Sequence, residues 1–268
     1  MKIFLNEREI SVAPDTTLYQ LRRQQKTDAD LLIVNGFPRK EDTPLCAGDR
    51  VVLIKRGEHP SAAELEALMM SRHTPGVHAK IRKSVVGIAG AGGLGSNIAV
   101  ALARIGVGRL IIVDFDLVEP SNLNRQQYFI DQIGQPKVAA LRDNLHRINP
   151  LVDVQASCAR VTPENIAELF GGVDVLTEAF DAADEKTMLI SGFLSRFPET
   201  PLVAASGLAG YGPSNTIVTE QVARHLYIVG DGCSAAQPGQ GLMAPRVGIA
   251  AHHQANAVLR LLLGEEPA

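Results

Sequence analysis

The sequence predicts an α/β protein in two unequal parts: a small α+β domain, then a doubly wound, mainly parallel sheet with an antiparallel extension. Three observations predict it. The fully apolar run Ser-Val-Val-Gly-Ile-Ala-Gly, residues 84–90, leads directly into glycines and a helical pattern. From there strand and helix patterns alternate as far as residue 206. Before residue 60 the order is strand, strand, helix, strand, strand, which suits a helix packed on one sheet face.

Residues 2–5 and 10–12 read as two short strands around the polar turn Asn6-Glu7-Arg8-Glu9. In PDTTLYQLRR, Asp15 or Thr16 is a candidate cap for a helix carrying Leu18 and Leu21. DLLIVNG is a third strand, and AGDRVVLIKRG a fourth behind a Gly-Asp turn. Residues 1–58 form this first domain. Residues 59–83 are a linker and helix, with Pro60 stopping any strand and Ser61 and Glu64 forming a capping box.

Residues 84–268 form the second domain. After the apolar strand comes a helix from Leu94 to Ile105, then the strand RLIIVDFD, then a helix from Lys137 to Ile148 that Asn149-Pro150 ends. Strands are expected at 153–157, 173–177 and 202–206, with helical stretches near 163–170 and 184–197. An antiparallel pair at 214–219 and 224–229, a glycine-rich loop at 230–241 and the helix GIAAHHQANAVLRLLLG complete the pattern.

Composition excludes several classes of function. With 46% hydrophobic residues the chain can bury a core, and a net charge of -3 does not suit a nucleic-acid or acidic-membrane binder. No apolar run is long enough to span a bilayer, and MKIFLNEREI does not resemble a signal peptide. The three cysteines, at 46, 158 and 233, form no Cys-x-x-Cys, so neither a disulfide framework nor a zinc site is expected. The expectation is a soluble protein of a reducing cytoplasm.

Gly90-Ala91-Gly92-Gly93-Leu94-Gly95 fits the G-x-G-x-x-G pattern of a Rossmann-type nucleotide loop. It follows a strand and opens a helix, so backbone amides can meet phosphate oxygens. Asp114 closes the next strand, where a carboxylate accepts from ribose hydroxyls. Asn122, Asn124, Arg125 and Gln126 follow in a loop, and Lys137 opens a helix. Arginine and lysine converging here suit a dense run of phosphates, which favours a nucleoside triphosphate over a nicotinamide dinucleotide. Asp181, at a strand's carboxyl edge in VDVLTEAFDAADEK, is a natural Mg²⁺ ligand; Asp184, Glu185 and Lys186 read as capping and solubilising the next helix.

In that order and spacing, GAGGLGS, VDFDLVEPSNLNRQ, IGQPK and INP resemble the adenylating enzymes related to ThiF, MoeB and the ubiquitin-activating enzymes. Residues 1–58 resemble the ThiS-like β-grasp domain of one ThiF subfamily. The resemblance implies ATP and Mg²⁺ as cofactors, and as partner a ThiS-like sulfur carrier ending in Gly-Gly. It implies a nucleotide site of Gly90, Gly92, Gly93, Leu94, Gly95, Asp114, Asp116, Asn122, Arg125, Gln126 and Lys137. It further implies that Asp181 supports Mg²⁺ and transfer, and that Arg72, which matches an arginine such enzymes lend across a homodimer, serves the partner's ATP.

Two departures stand out. The zinc-binding cysteine pairs of many relatives are missing, and Cys233 lies a few residues upstream of the cysteine that several relatives use for sulfur transfer. With no Lys, Arg or His beside it in the loop, Cys233 reads as an inert packing residue. His252 and His253 are adjacent on a helix and cannot form an i, i+4 metal pair. A nucleotide-dependent oxidoreductase and a non-catalytic nucleotide-binding protein are the alternative readings of the glycine loop. Gly57 is followed by Glu58-His59-Pro60, so the first domain offers no terminal glycine carboxylate and is not expected to be its own enzyme's substrate.

Overall fold

The computed structural model describes residues 1–6, 8–58, 65–66, 68–69, 73–74 and 76–267. They fall into two compact units, Met1–Gly76 and Val77–Ala268. Ser61, Glu64 and Arg72 lie outside the described residues.

The first unit holds a five-stranded sheet in the order β2-β1-β5-β3-β4. Strands β1 (Lys2–Leu5) and β2 (Arg8–Ser11) form a hairpin, and β1 pairs in parallel with β5 (Arg50–Ile54). Antiparallel to β5 runs β3 (Leu31–Val34), and β4 (Phe37–Arg39) closes the edge. The helix Leu18–Gln25 buries Leu18 and Leu21 with Ile3, Leu32, Val51 and Leu53. Its cap is Thr17, one residue beyond the two candidates. Thr17 Oγ1 accepts from the Gln20 amide at 3.2 Å, and Gln20 Oε1 accepts from the Thr17 amide at 3.0 Å. Only Thr17 has Gln three residues on to reciprocate.

Sequence reasoning missed β4. Asn35 and Gly36 both have positive φ, 52° and 82°, the primed-turn geometry that twists a two-residue hairpin correctly. Pro38 withholds an amide from the ladder, which an edge strand tolerates.

The second unit holds a seven-stranded sheet in the order β11-β12-β10-β9-β6-β7-β8. Six strands are parallel: β6 (Val85–Ala89), β7 (Arg109–Asp114), β8 (Asp153–Cys158), β9 (Val175–Glu178), β10 (Leu202–Ala205) and β12 (Leu226–Gly230). Only β11 (Val218–Ala223) runs antiparallel. The alternation of side chains assigns each face its core. Val86, Ile88, Leu110, Ile112, Val203 and Ala205 pack under the helices Gly93–Ile105, Lys137–Ile148 and Ala244–Leu263. Ala89, Val113, Leu176, Leu202 and Ala204 pack under Ile166–Phe170 and Ala183–Arg196.

Two elements differ from expectation. Residues 214–216 form a 3-10 turn instead of opening a strand, because Arg246 takes the Pro213 carbonyl and the Thr216 hydroxyl. The last helix begins at Ala244, a turn earlier than its apolar pattern suggests. Pro245 is accommodated because the first turn of a helix needs no amide there.

Candidate functional site

The strand order reverses between β6 and β9: β7 and β8 continue on one side, β10 and β12 on the other. Such a switch point opens a crevice at the carboxyl ends of the strands. Here it is a cleft of about 1010 Å³ whose lining comes from the segments after all six parallel strands.

The glycine loop forms its centre. Gly90 has φ +99°, and a Cβ there would sit 2.8 Å from the Ala179 carbonyl oxygen, so the loops after β6 and β9 touch across the switch point. At Gly95 a Cβ would sit 1.8 Å from the Gly90 carbonyl oxygen. Glycine there lets the helix press against the loop. The helix Gly93–Ile105 has Gly92 as its N-cap and no capping side chain, which leaves its amino-terminal amides to an anion.

The segment after β7 is stitched to this loop. Asp114 accepts from the Ala91 amide at 2.6 Å and the Asp116 amide at 2.8 Å. One such bond per oxygen leaves further lone pairs for ribose hydroxyls. Tyr128 donates to the Ala91 carbonyl at 2.7 Å; burial, then the Asp114 and Asp116 charges, push its phenol up and keep it a donor. Ser96 donates to the Gly92 carbonyl at 2.6 Å and accepts from the Gln127 amide at 3.1 Å. Asn122 accepts from the Glu119 amide at 3.0 Å and shapes its own loop. Gln126 is buried, and its Oε1 has no hydrogen-bond partner among the described atoms. A buried polar atom left bare costs about 1–3 kcal/mol, which a ligand would recover.

Four cations line the cleft, and three of them face carboxylates. Lys137, buried, donates to Asp116 at 2.7 Å. Arg160 pairs with Glu185. Lys186 donates to both Glu178 oxygens at 3.0 Å. Arg125 donates instead to the Ser121 carbonyl at 3.2 Å and the Asn124 side-chain oxygen at 2.8 Å. Among the described residues that line the cleft, it is the cation without a carboxylate partner.

Lys186 therefore does not solubilise its helix. It turns inward because Glu178, fully buried at the end of β9, needs a counter-charge. Burial pushes the Glu178 carboxyl up; Lys186 and the Phe180 and Ala205 amides, at 2.6 and 3.4 Å, oppose that shift. The pair fixes the turn that carries Asp181, which is exposed at the cleft.

On the far side, Asp231 and Arg246 form a second buried ion pair at 2.6 Å, their side chains 9% and 4% exposed. Arg246 also donates to the Gly212 and Pro213 carbonyls, both at 2.9 Å. Asp231 accepts from the Ser234 hydroxyl, the Ser234 amide at 2.8 Å and the Cys233 amide at 2.9 Å. Burial opposes its ionisation. The Ser234 and Cys233 hydrogen bonds and Arg246 outweigh burial and hold the carboxyl well below the usual range. Loops 206–217 and 230–241 are thereby clasped to the last helix. Cys233 does not pack as expected: it is exposed at the cleft, its thiol 3.5 Å from Asp231 Oδ1.

A model of the ThiF family matches residues 66–268, and a model of ThiS-like ubiquitin matches residues 1–57. The chain belongs to the ThiF family. Molybdopterin-synthase adenylyltransferase of Escherichia coli K12 is 32% identical over 190 residues, which cover 69% of this chain and 75% of that protein. Sulfur carrier protein ThiS adenylyltransferase of Bacillus subtilis 168 is 35% identical over 201 residues, covering 72% and 58%. SAMP-activating enzyme E1 of Haloferax volcanii is 34% identical over 154 residues, covering 57% and 56%. The chain thus spans little more than half the length of the last two. Among solved structures, E. coli tRNA N6-threonylcarbamoyladenosine dehydratase in complex with AMP shares the fold, with TM-score 0.69, 21% identity, and coverage of 78% of this chain and 98% of that one.

As a ThiF-family domain, the second unit brings most of the expected nucleotide residues to one cleft, Gly90, Gly92, Gly93, Leu94, Asp114, Asp116, Asn122, Arg125, Gln126 and Lys137, together with Asp181, the expected Mg²⁺ ligand. Gly95 packs beneath the loop, and the Leu94 side chain turns into the core. Glu178, Asp231 and Arg246 were not foreseen. His252 and His253 diverge, toward the Gly248 carbonyl and the Thr219 hydroxyl, and are helix and sheet contacts.

Proposed function

We propose that this protein is an ATP-dependent adenylyltransferase that activates the carboxyl-terminal glycine of a ThiS-like sulfur carrier, in thiamine (thiazole) biosynthesis in the cytoplasm. The observation that carries the proposal is one continuous cleft. It holds the glycine loop, Asp114, Arg125 and Asp181, and runs on to the small residues Gly232–Ala236. ATP lies with its phosphates on the loop amides and Arg125, and its ribose on Asp114. The carrier tail enters beside Gly232–Ala236, where small side chains leave room for Gly-Gly.

The carrier carboxylate attacks the α-phosphorus in line. A new oxygen–phosphorus bond forms, the bond to the bridging oxygen breaks, and pyrophosphate leaves with the electron pair. No proton needs moving, so positioning and charge neutralisation dominate. Among the described residues no three His, Cys, Asp or Glu side chains group into a metal cage. Asp181, an exposed carboxylate in the cleft, still fits Mg²⁺, which takes one or two carboxylates and completes its shell with phosphates and water. Bound there, Mg²⁺ would neutralise phosphate charge. Arg125 and Lys137 follow charge toward the leaving pyrophosphate, with Lys137 released from Asp116. Arg72 from the partner of a homodimer completes the site.

The test is ATP–pyrophosphate exchange with a panel of carriers ending in Gly-Gly. Exchange that depends on one of them is expected. Exchange with none, by folded protein that binds ATP, refutes the carrier assignment.

A further inference from the structure

We infer that Arg160, laid on Phe115 and tethered by Glu185, is the wall against which the nucleotide base packs. The inference rests on the nucleotide reading above and concerns the end of the cleft that it leaves unassigned.

The sheet itself sets the direction. Strands β6, β7 and β8 are parallel neighbours, each step across them about 4.8 Å. The phosphate loop follows β6, Asp114 is the last residue of β7, and Asp114 pairs in register with Cys158, the last of β8. Phosphates over β6 and ribose over β7 therefore place the base over the end of β8. There the cleft is lined by Phe115, Ala159, Arg160 and Val161.

The Arg160 guanidinium lies 4.0 Å from the Phe115 ring centroid. Its Nη1 pairs with Glu185, on the helix that follows β9. The Arg160 side chain is nonetheless 58% exposed. An exposed ion pair contributes little to stability, and holding a long side chain in one place has an entropic cost. Stacking and tether together pre-orient a flat cation at the mouth of the cleft. A planar guanidinium stacks on a purine through the same face-to-face contact that it makes with a phenyl ring.

The experiment measures binding of ATP, and of inorganic tripolyphosphate as a probe for the phosphate end, to the whole protein in Mg²⁺ by titration calorimetry. Arg160→Ala should weaken ATP about tenfold, the scale of one stacking contact, and leave tripolyphosphate unchanged. Arg160→Lys keeps the charge but not the plane and should bind ATP as weakly as Arg160→Ala. Glu185→Gln, which loosens the tether, should weaken ATP by a smaller factor. Unchanged ATP affinity in Arg160→Ala overturns the inference, as does an equal loss for both ligands, which would make Arg160 a general electrostatic or structural residue. A wild-type protein that binds no ATP overturns the nucleotide reading itself, and this inference with it.

Discussion

Arg246→Leu should strongly destabilise the second unit while leaving the nucleotide loop untouched. Arg246 is 3% exposed and its partner's side chain 9%. Leucine is shorter and apolar: it removes the counter-charge of Asp231 and leaves the Gly212 and Pro213 carbonyls without their donor. Removing one member of a buried pair costs about 3–5 kcal/mol. For a unit of this size each kcal/mol moves the melting point by about 2–4 °C, so a fall of roughly 6–20 °C is expected. The chain has no tryptophan, so unfolding in heat and urea is best followed by circular dichroism. Paired with Asp231→Asn in a double-mutant cycle, the substitution should show coupling of about 2 kcal/mol or more. The pH dependence has a definite sign. Asp231's folded pKa is depressed, so its contribution is complete above the unfolded value of about 3.9 and is lost as pH falls toward the folded one. The gap between wild type and Arg246→Leu should therefore narrow below about pH 4. A cost under about 1 kcal/mol, or two additive substitutions, would refute the argument that this pair holds the loops.

Gly95→Ala should abolish ATP binding measured by calorimetry, since its Cβ meets the Gly90 carbonyl at 1.8 Å and the loop must move; tight binding would show that the loop is not the phosphate site. Cys233→Ser should retain pyrophosphate exchange, because no thiol takes part in attack on phosphorus, and loss of exchange would give Cys233 a role the structure does not suggest. Arg72→Ala and Asp181→Ala proteins, each reduced by on the order of 100-fold in exchange, should recover activity when reassembled together. Mixed dimers that stay inactive would place Arg72 in its own subunit's site or outside any site.

Local patterns carried most of the fold into view. The central parallel strands are apolar on both faces, the helices have their period, and the glycine motif sits where a strand meets a helix, so each announces itself within a few residues. What escaped depends on partners far apart in the chain. Lys186 looks like a solvated helix residue until Glu178 is placed beneath it in three dimensions, and Arg246 looks like a helix-start residue until Asp231 comes round to it. Residues 214–216 carry no sign that an arginine thirty residues on will draw them off the sheet. One omission was avoidable: Asn35-Gly36 between apolar Val34 and Phe37 is a hairpin signal in its own right. That Asp114 and Asp181 would meet at one cleft was readable because each stands at or just past the carboxyl end of a strand. The structural work of Asn122 and the stacking of Arg160 were not, since both depend on the path of a loop.

The central claim is that this cleft joins AMP to a carrier's terminal carboxylate. Intact-mass measurement of carrier and protein after incubation with ATP and Mg²⁺ tests it most directly. The account predicts one AMP added to the carrier, at its terminal glycine, and none to residues 1–58 when no carrier is present. An unmodified carrier in the presence of ATP-bound protein, or AMP appearing on residues 1–58 instead, would contradict it.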